Sequence, residues 1–188
     1  MNEYFSLSEL EAEMQQSRRF LDAFDVGMMF KVDSLKQITG KLPASGEIFF
    51  IETNKSFTAF TFIVHVLKAV GYIHHVYIAT YSTNERVVNA LLRYHDKGKI
   101  GSIHLHISET LKYRMPTVYE RLISLQSQGT IALSFAWTHK KITCMDTAAG
   151  SFVVEGSGNY GENALEEQYV FLNSRKVYEF RCGQVPTG

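Results

Sequence analysis

Along the middle of the chain, apolar residues follow one order three times over: a short continuous run, a few polar positions, then a longer stretch with apolar residues three and four apart. The first run, at 48–51, leads through Thr53-Asn54-Lys55-Ser56 into a nearly all-apolar stretch at 57–70 that ends at Gly71. A continuous apolar run predicts a strand buried on both faces, and the stretch behind it a helix closed by glycine. Residues 76–80 repeat the strand, and Val87, Val88, Leu91 and Leu92 mark the helix after Tyr81-Ser82-Thr83-Asn84. A third unit joins a strand at 103–107 to a helix opened by Pro116, with Val118, Tyr119, Leu122 and Ile123 on one side. Alternating strand and helix units predict an α/β fold with a mostly parallel sheet flanked by helices.

The pattern is different at both ends. Leu7, Leu10, Met14, Leu21 and Phe24 recur at helical spacing, with Ser6 or Ser8 as cap and Glu9 or Glu11 to close a capping box. A second short helix is predicted over 33–39, ended by Gly40. After the third unit, Ile131, Leu133, Phe135 and Trp137 alternate into a fourth strand that runs on to His139 and Lys141. A hairpin over 142–146 and 152–155, a short helix near 162–166, a strand at 168–172 and a helix at 174–181 complete the chain. The organisation is therefore a helical N-terminal extension over 1–45, an α/β domain over 46–181, and a tail over 182–188.

The chemistry gathers behind the fourth strand. His139 and Lys141 stand two apart, so a strand directs both side chains from one face. Asp146 follows, and Gly156-Ser157-Gly158-Asn159 adds a hydroxyl, a side-chain amide and unhindered backbone N–H groups. Such a set suits a phosphoryl centre. Each piece also has an ordinary reading alone: surface chemistry for the pair, a common turn for the glycines, a helix cap for Asn159 with Glu162.

Taken in order, His139-x-Lys141, four residues, Asp146, then Gly156-Ser157-x-Asn159 resembles the HKD signature of the phospholipase D superfamily. Nine residues, 147–155, separate Asp146 from Gly156, more than the family pattern has, and the small residues at 147–151 predict that a longer hairpin turn takes up the surplus. The resemblance covers about residues 47–180. With a single motif, the chain looks like the short members that include metal-independent nucleases and build one site from two chains.

The resemblance implies a phospholipase D-like fold and a division of roles. His139 would attack phosphorus to form a phosphohistidine, and the His139 of a second copy would protonate the leaving group. Lys141, Ser157 and Asn159 would hold the phosphoryl oxygens, with Gly156 and Gly158 offering backbone to the substrate. Glu167, or alternatively Glu166, would orient the histidine, while Asp146 supports the loop. Trp137 and Tyr160 flank the motif as stacking surfaces or as core. Lys55, Tyr81 and Ser82 lie where strands meet helices, the usual ligand edge of an α/β sheet.

Composition narrows the reading further. At 188 residues and 45% hydrophobic, the chain supports one full core. Lys plus Arg and Asp plus Glu balance at 19 each, so contact with nucleic acid needs a local patch rather than a global field. Cys144 and Cys182 are too few for a disulfide framework and point to a cytoplasmic setting. Glu3, Glu9 and Glu11 speak against a signal peptide, and the stretch at 57–70, interrupted by His65 and Lys68, is too short to cross a membrane. His104 and His106 alternate on a strand without a Cys or carboxylate cluster at ligand spacing, and no Gly-rich phosphate loop occurs. No metal and no cofactor are expected. The sequence thus points first to a metal-independent phosphodiesterase acting on nucleic acid as a homodimer. A phospholipid phosphodiesterase is disfavoured by the lack of a basic amphipathic segment, and a catalytically silent binding or scaffold protein is the third reading.

Overall fold

The three strand–helix units form where the apolar pattern places them, and local caps fix their ends. In the computed structural model, residue 32 and residues 34–54, 58–161 and 166–183 are described. They form α1 (34–39), β1 (Ile48–Asn54), α2 (Ala59–Val70), β2 (Ile73–Thr80), α3 (Glu85–Asp96), β3 (Ile100–Ser108), α4 (Leu111–Arg114), α5 (Pro116–Ser127), β4 (Ala132–Ala136), β5 (Ile142–Thr147), β6 (Gly150–Gly156), β7 (Glu166–Asn173) and α6 (Arg175–Cys182). Thr58 N donates to Thr61 Oγ1 (3.2 Å) at the start of α2, and Gly71 ends that helix at φ 81°. Asn84 Oδ1 accepts from Val87 N at 3.0 Å to open α3, and Ser174 caps α6. The helix predicted over residues 1–24, Lys55, residues 162–165 and the end of the tail lie outside the described residues. Glu166, expected in a short helix, opens β7 instead.

The strands make one sheet in the order β1-β7-β6-β5-β2-β3-β4. Among the described residues only β2–β3 and β3–β4 are parallel ladders; the other four are antiparallel. The expectation of a mostly parallel sheet is corrected here, because the β5–β6–β7 meander inserts between β1 and β2. Hydrophobic runs report burial, and burial does not say which strand lies next door. The same insertion corrects β1. Expected to be buried on both faces, it sits at the edge of the sheet with Ile51 3% and Phe50 82% exposed.

The hairpin holds another correction. Thr147 pairs with Gly150, leaving a two-residue turn at Ala148-Ala149, so the long interval between Asp146 and Gly156 lengthens the β5–β6 ladder and not the turn. Thr147 Oγ1 donates to Gly150 O (2.9 Å) and accepts from Ala149 N (3.1 Å), tightening that turn. A Cβ at Gly150 would lie 2.5 Å from the Asn173 side chain.

Helices α2, α3 and α5 cover one face of the sheet with Phe60, Phe62, Ile63, Val88, Leu91 and Leu122, against Val76, Ile78, Leu105, Met145, Val154 and Phe171. The other face is covered by α6 over Tyr77, Ala79, Ile142, Cys144, Val153 and Leu172. Among the described residues no helix is long and apolar enough to cross a membrane.

Candidate active site at the carboxyl edge of the sheet

Strand β4 lies at one edge of the sheet and β5 three ladder positions away, beyond β3 and β2. At about 4.8 Å per position the link must cross roughly 14 Å, within the roughly 20 Å that six extended steps from Ala136 to Ile142 can span. Residues 137–141 therefore cross the carboxyl ends of β3 and β2. The fourth strand ends at Ala136, so His139 and Lys141 ride on this crossing rather than on the strand expected to carry them.

The crossing brings His139 over the end of β2. Its ring meets that of Tyr81 with centroids 4.9 Å apart and planes at 50°. Lys141 Nζ lies 2.7 Å from His139 Nδ1 and 3.2 Å from Nε2, and donates to the His139 carbonyl at 2.9 Å. Burial holds the Lys141 ammonium below its ordinary pKa, while Glu167 and Tyr81 pull in the opposite direction. Tyr81 OH accepts from Arg114 Nη1 at 2.8 Å. Hydrogen bonds from Thr110 and then Arg114 lower the pKa of that phenol.

The Gly156–Asn159 loop comes to the same edge from β6. Gly156 N donates to the Lys141 carbonyl (3.2 Å), tying the loop to the His139–Lys141 segment. Ser157 Oγ accepts from Gln168 N at 3.1 Å and donates to Glu167 Oε2. Glu167, expected to orient the imidazole, thus has its carboxylate on Ser157 and its field on Lys141. A bridge between Thr83 and Tyr160 sets the loop against the β2–α3 connection, where Ser82 accepts from Thr80 Oγ1 at 2.9 Å. Gly158 is buried, Asn159 is half-buried, and Asn159 Oδ1 is buried with no hydrogen-bond partner among the described residues.

His139, Lys141, Gly156, Ser157, Gln168 and Phe50 line a cleft of about 810 Å³, together with Glu155 and Arg181. A second cleft of about 470 Å³ adjoins it at Ser157 and is lined by Glu52, Glu166 and Glu167. Asp146 does not reach either. At the far end of β5 it accepts from Ser151 Oγ (3.0 Å) and from Arg175 Nη1 (3.1 Å), anchoring the start of α6. Tyr160, expected beside the motif as a stacking surface or as core, is core: it is 1% exposed and bonded to Thr143. Trp137 is 77% exposed. His104 and His106 share one hydroxyl, Ser134 Oγ, at 3.1 and 2.9 Å.

Sequence reasoning missed several residues. Arg181, from α6, forms a two-pronged ion pair with Glu155 at 2.6 Å on each arm, in the wall of the main cleft. No local pattern links residues 155 and 181. Arg114 and Thr110 lie just past the carboxyl end of β3, and the edge rule that singled out Tyr81 and Ser82 points to them equally.

No protein-family model matches the chain, and no curated protein matches it in sequence. Solved structures share its fold. A polyphosphate kinase from Porphyromonas gingivalis superposes on 76% of this chain and 27% of its own, at 13% identity and a TM-score of 0.52. A phosphatidylserine synthase from Haemophilus influenzae Rd KW20 matches 73% of this chain and 37% of its own, at 10% identity and 0.51. TrmBL2, an archaeal chromatin protein, matches 93% of this chain and 63% of its own, at 10% identity and 0.51. The chain spans less than two thirds of each. These likenesses show the fold alone, a mixed α/β fold with a seven-stranded sheet flanked by helices.

Proposed function

We propose that the chain is a phosphodiesterase acting on nucleic acid, with His139 as nucleophile, in a homodimer whose two-fold axis passes near His139. The observation that carries this reading is an exposed imidazole with an ammonium 2.7 Å from Nδ1, in a cleft that also presents Ser157. Attack by an imidazole nitrogen breaks the bond from phosphorus to the leaving alcohol and leaves a phosphohistidine; water then releases the phosphoryl group. In the free site Lys141 is held on the imidazole. An entering phosphoryl oxygen takes over that ammonium, leaving the ring nitrogen able to attack. Lys141, Ser157 and Asn159 stabilise the charge that builds on the non-bridging oxygens. Glu167 acts through Ser157 and Lys141, and Asp146 supports α6.

In-line displacement needs an acid on the far side of phosphorus from the nucleophile. One copy brings one His139 to the cleft, and a two-fold axis places a second His139 opposite the first. The charge-neutralising role that a divalent ion fills in many phosphodiesterases falls here to Lys141, Ser157 and Asn159, so turnover is expected to persist in EDTA.

The test is hydrolysis of bis(p-nitrophenyl) phosphate and of a labelled oligonucleotide, with rapid quench into alkali to preserve an acid-labile phosphoprotein. Wild-type protein should turn over both in EDTA and trap label, whereas His139→Ala should do neither at an unchanged melting temperature. Full activity in His139→Ala refutes the mechanism. A folded wild-type protein that cleaves no diester returns the chain to the binding or scaffold class.

A further inference from the structure

The carboxyl edge of β2, β3 and β4 carries more aromatic and cationic surface than phosphodiester chemistry needs. Tyr113, on α4, and Trp137, on the crossing, are each 77% exposed. Glu109 N donates to the Ala136 carbonyl at 3.0 Å, so the segment leading to α4 and the crossing leave the sheet side by side. Toward the nucleophile, Arg114 of α4 reaches Tyr81 at the end of β2. Lys112 Nζ lies 5.9 Å from the centre of the Tyr113 ring, Arg114 bonds Tyr81 OH at 2.8 Å, and the Tyr81 ring meets that of His139 at 4.9 Å.

The charge of this strip departs from that of the whole chain. Within residues 109–114 and 137–141, Lys112, Arg114, Lys140 and Lys141 stand against one carboxylate, Glu109, although the full sequence balances 19 against 19. These segments lie some thirty residues apart in sequence, and only the parallel β3–β4 pairing and the crossing unite them. The outcome is rings and cations gathered along one edge.

We propose that this strip is a binding track for single-stranded nucleic acid, running from His139 over Tyr81 and Arg114 to Tyr113 and Trp137. The combination of exposed rings with an excess of cations decides the ligand class. A single strand alternates phosphates with bases whose flat faces are open, so cations take the former and rings the latter, without regard to base identity. A duplex hides those faces in its stack. A membrane surface calls for a contiguous apolar face, and here cations interrupt the rings. The track rests on the phosphodiesterase reading only for which phosphate is delivered to His139.

The experiment uses the full chain carrying His139→Ala, so that nothing is cut, and fluorescence anisotropy with four probes: oligo-dT, an abasic strand of equal length, a duplex, and phosphatidylglycerol vesicles. Oligo-dT should bind tighter than the other three. Adding Tyr113→Ala and Trp137→Ala, both exposed and checked by circular dichroism, should weaken oligo-dT binding by about 5- to 150-fold for each stacked base lost and leave abasic binding unchanged. Lys112→Gln with Arg114→Gln should weaken both strands and reduce the slope of log K against log salt by about 1.4. Equal affinity for oligo-dT and abasic strand, preference for duplex or vesicles, or no binding to any probe overturns the track. Hydrolysis of bis(p-nitrophenyl) phosphate by the wild-type chain is scored separately. Turnover without strand binding sinks the track alone, and strand binding without turnover sinks the enzyme reading alone.

Discussion

Replacing Gly156 by alanine probes how the cleft is held together. Gly156 does not need its hydrogen for backbone freedom; it needs it for space. A Cβ there would lie 2.4 Å from the Gln168 carbonyl oxygen and 2.4 Å from Tyr169 Cδ1. Relief to 3.0 Å, the shortest distance such contacts reach, requires a movement of 0.6 Å. The same carbonyl accepts from Ser157 N at 3.1 Å, so if it takes up the movement that bond stretches to about 3.7 Å and is lost. Overpacking costs about 1–3 kcal/mol and a lost hydrogen bond about 0.5–1.5 kcal/mol, so the variant should be destabilised by roughly 2–4 kcal/mol. For a chain of this length that is a fall in Tm of about 4–16 °C. If the loop takes up the 0.6 Å instead, Ser157 is displaced with its backbone, and since a 1 Å misplacement costs about 10²-fold the rate should fall by about 10-fold. Thermal melts and diester hydrolysis measure the two effects. Gly161→Ala is the control, because among the described residues its Cβ meets only Asn84 Nδ2, at 3.9 Å; its Tm should hold or rise slightly. A Gly156→Ala protein that melts within about 2 °C of wild type and keeps its rate would refute the packing argument.

Other outcomes follow from the charges. Burial lowers the pKa of Lys141 and Glu167 raises it, so the alkaline limb of the pH–rate profile should fall below the ordinary lysine range, move lower still in Glu167→Gln, and vanish upward in Lys141→Arg; a limb that ignores both variants excludes Lys141 as its source. His65, His75, His104 and His106 all have pKa values lowered by burial, so each favours the fold fully above about pH 6.5 and loses that contribution as pH falls, at up to about 1.4 kcal/mol per pH unit for each ring that stays neutral. Urea midpoints at pH 7.5 and 5.5 should show the decline, and an equal or higher midpoint at 5.5 contradicts it. Sedimentation should find a dimer at micromolar concentration. A monomer that retains full turnover would remove the need for two histidines in one cleft.

The sequence by itself determined the elements and the chemistry offered. Apolar runs set the strands, Asn84, Ser174, Gly71 and Pro116 set helix ends, and the His139-x-Lys141 and Gly156-Ser157-x-Asn159 spacings fixed which groups stand close along the chain. These are local properties, decided by backbone preferences and by side-chain periodicity over a few residues. Tertiary structure decided what lies beside what. Hydrophobicity drives burial without naming a neighbour, so the meander inserted between β1 and β2, the exposure of Phe50 and the ladder that absorbed the long Asp146–Gly156 interval were not legible. The Glu155–Arg181 pair and the contact of Tyr81 with His139 were hidden for the same reason, since each joins residues 26 or more apart that only the sheet order brings together. Asp146 shows the converse. One motif names it together with His139 and Lys141, yet a strand rises about 3.3 Å per residue, and five residues beyond Lys141 carry it to the opposite end of the sheet.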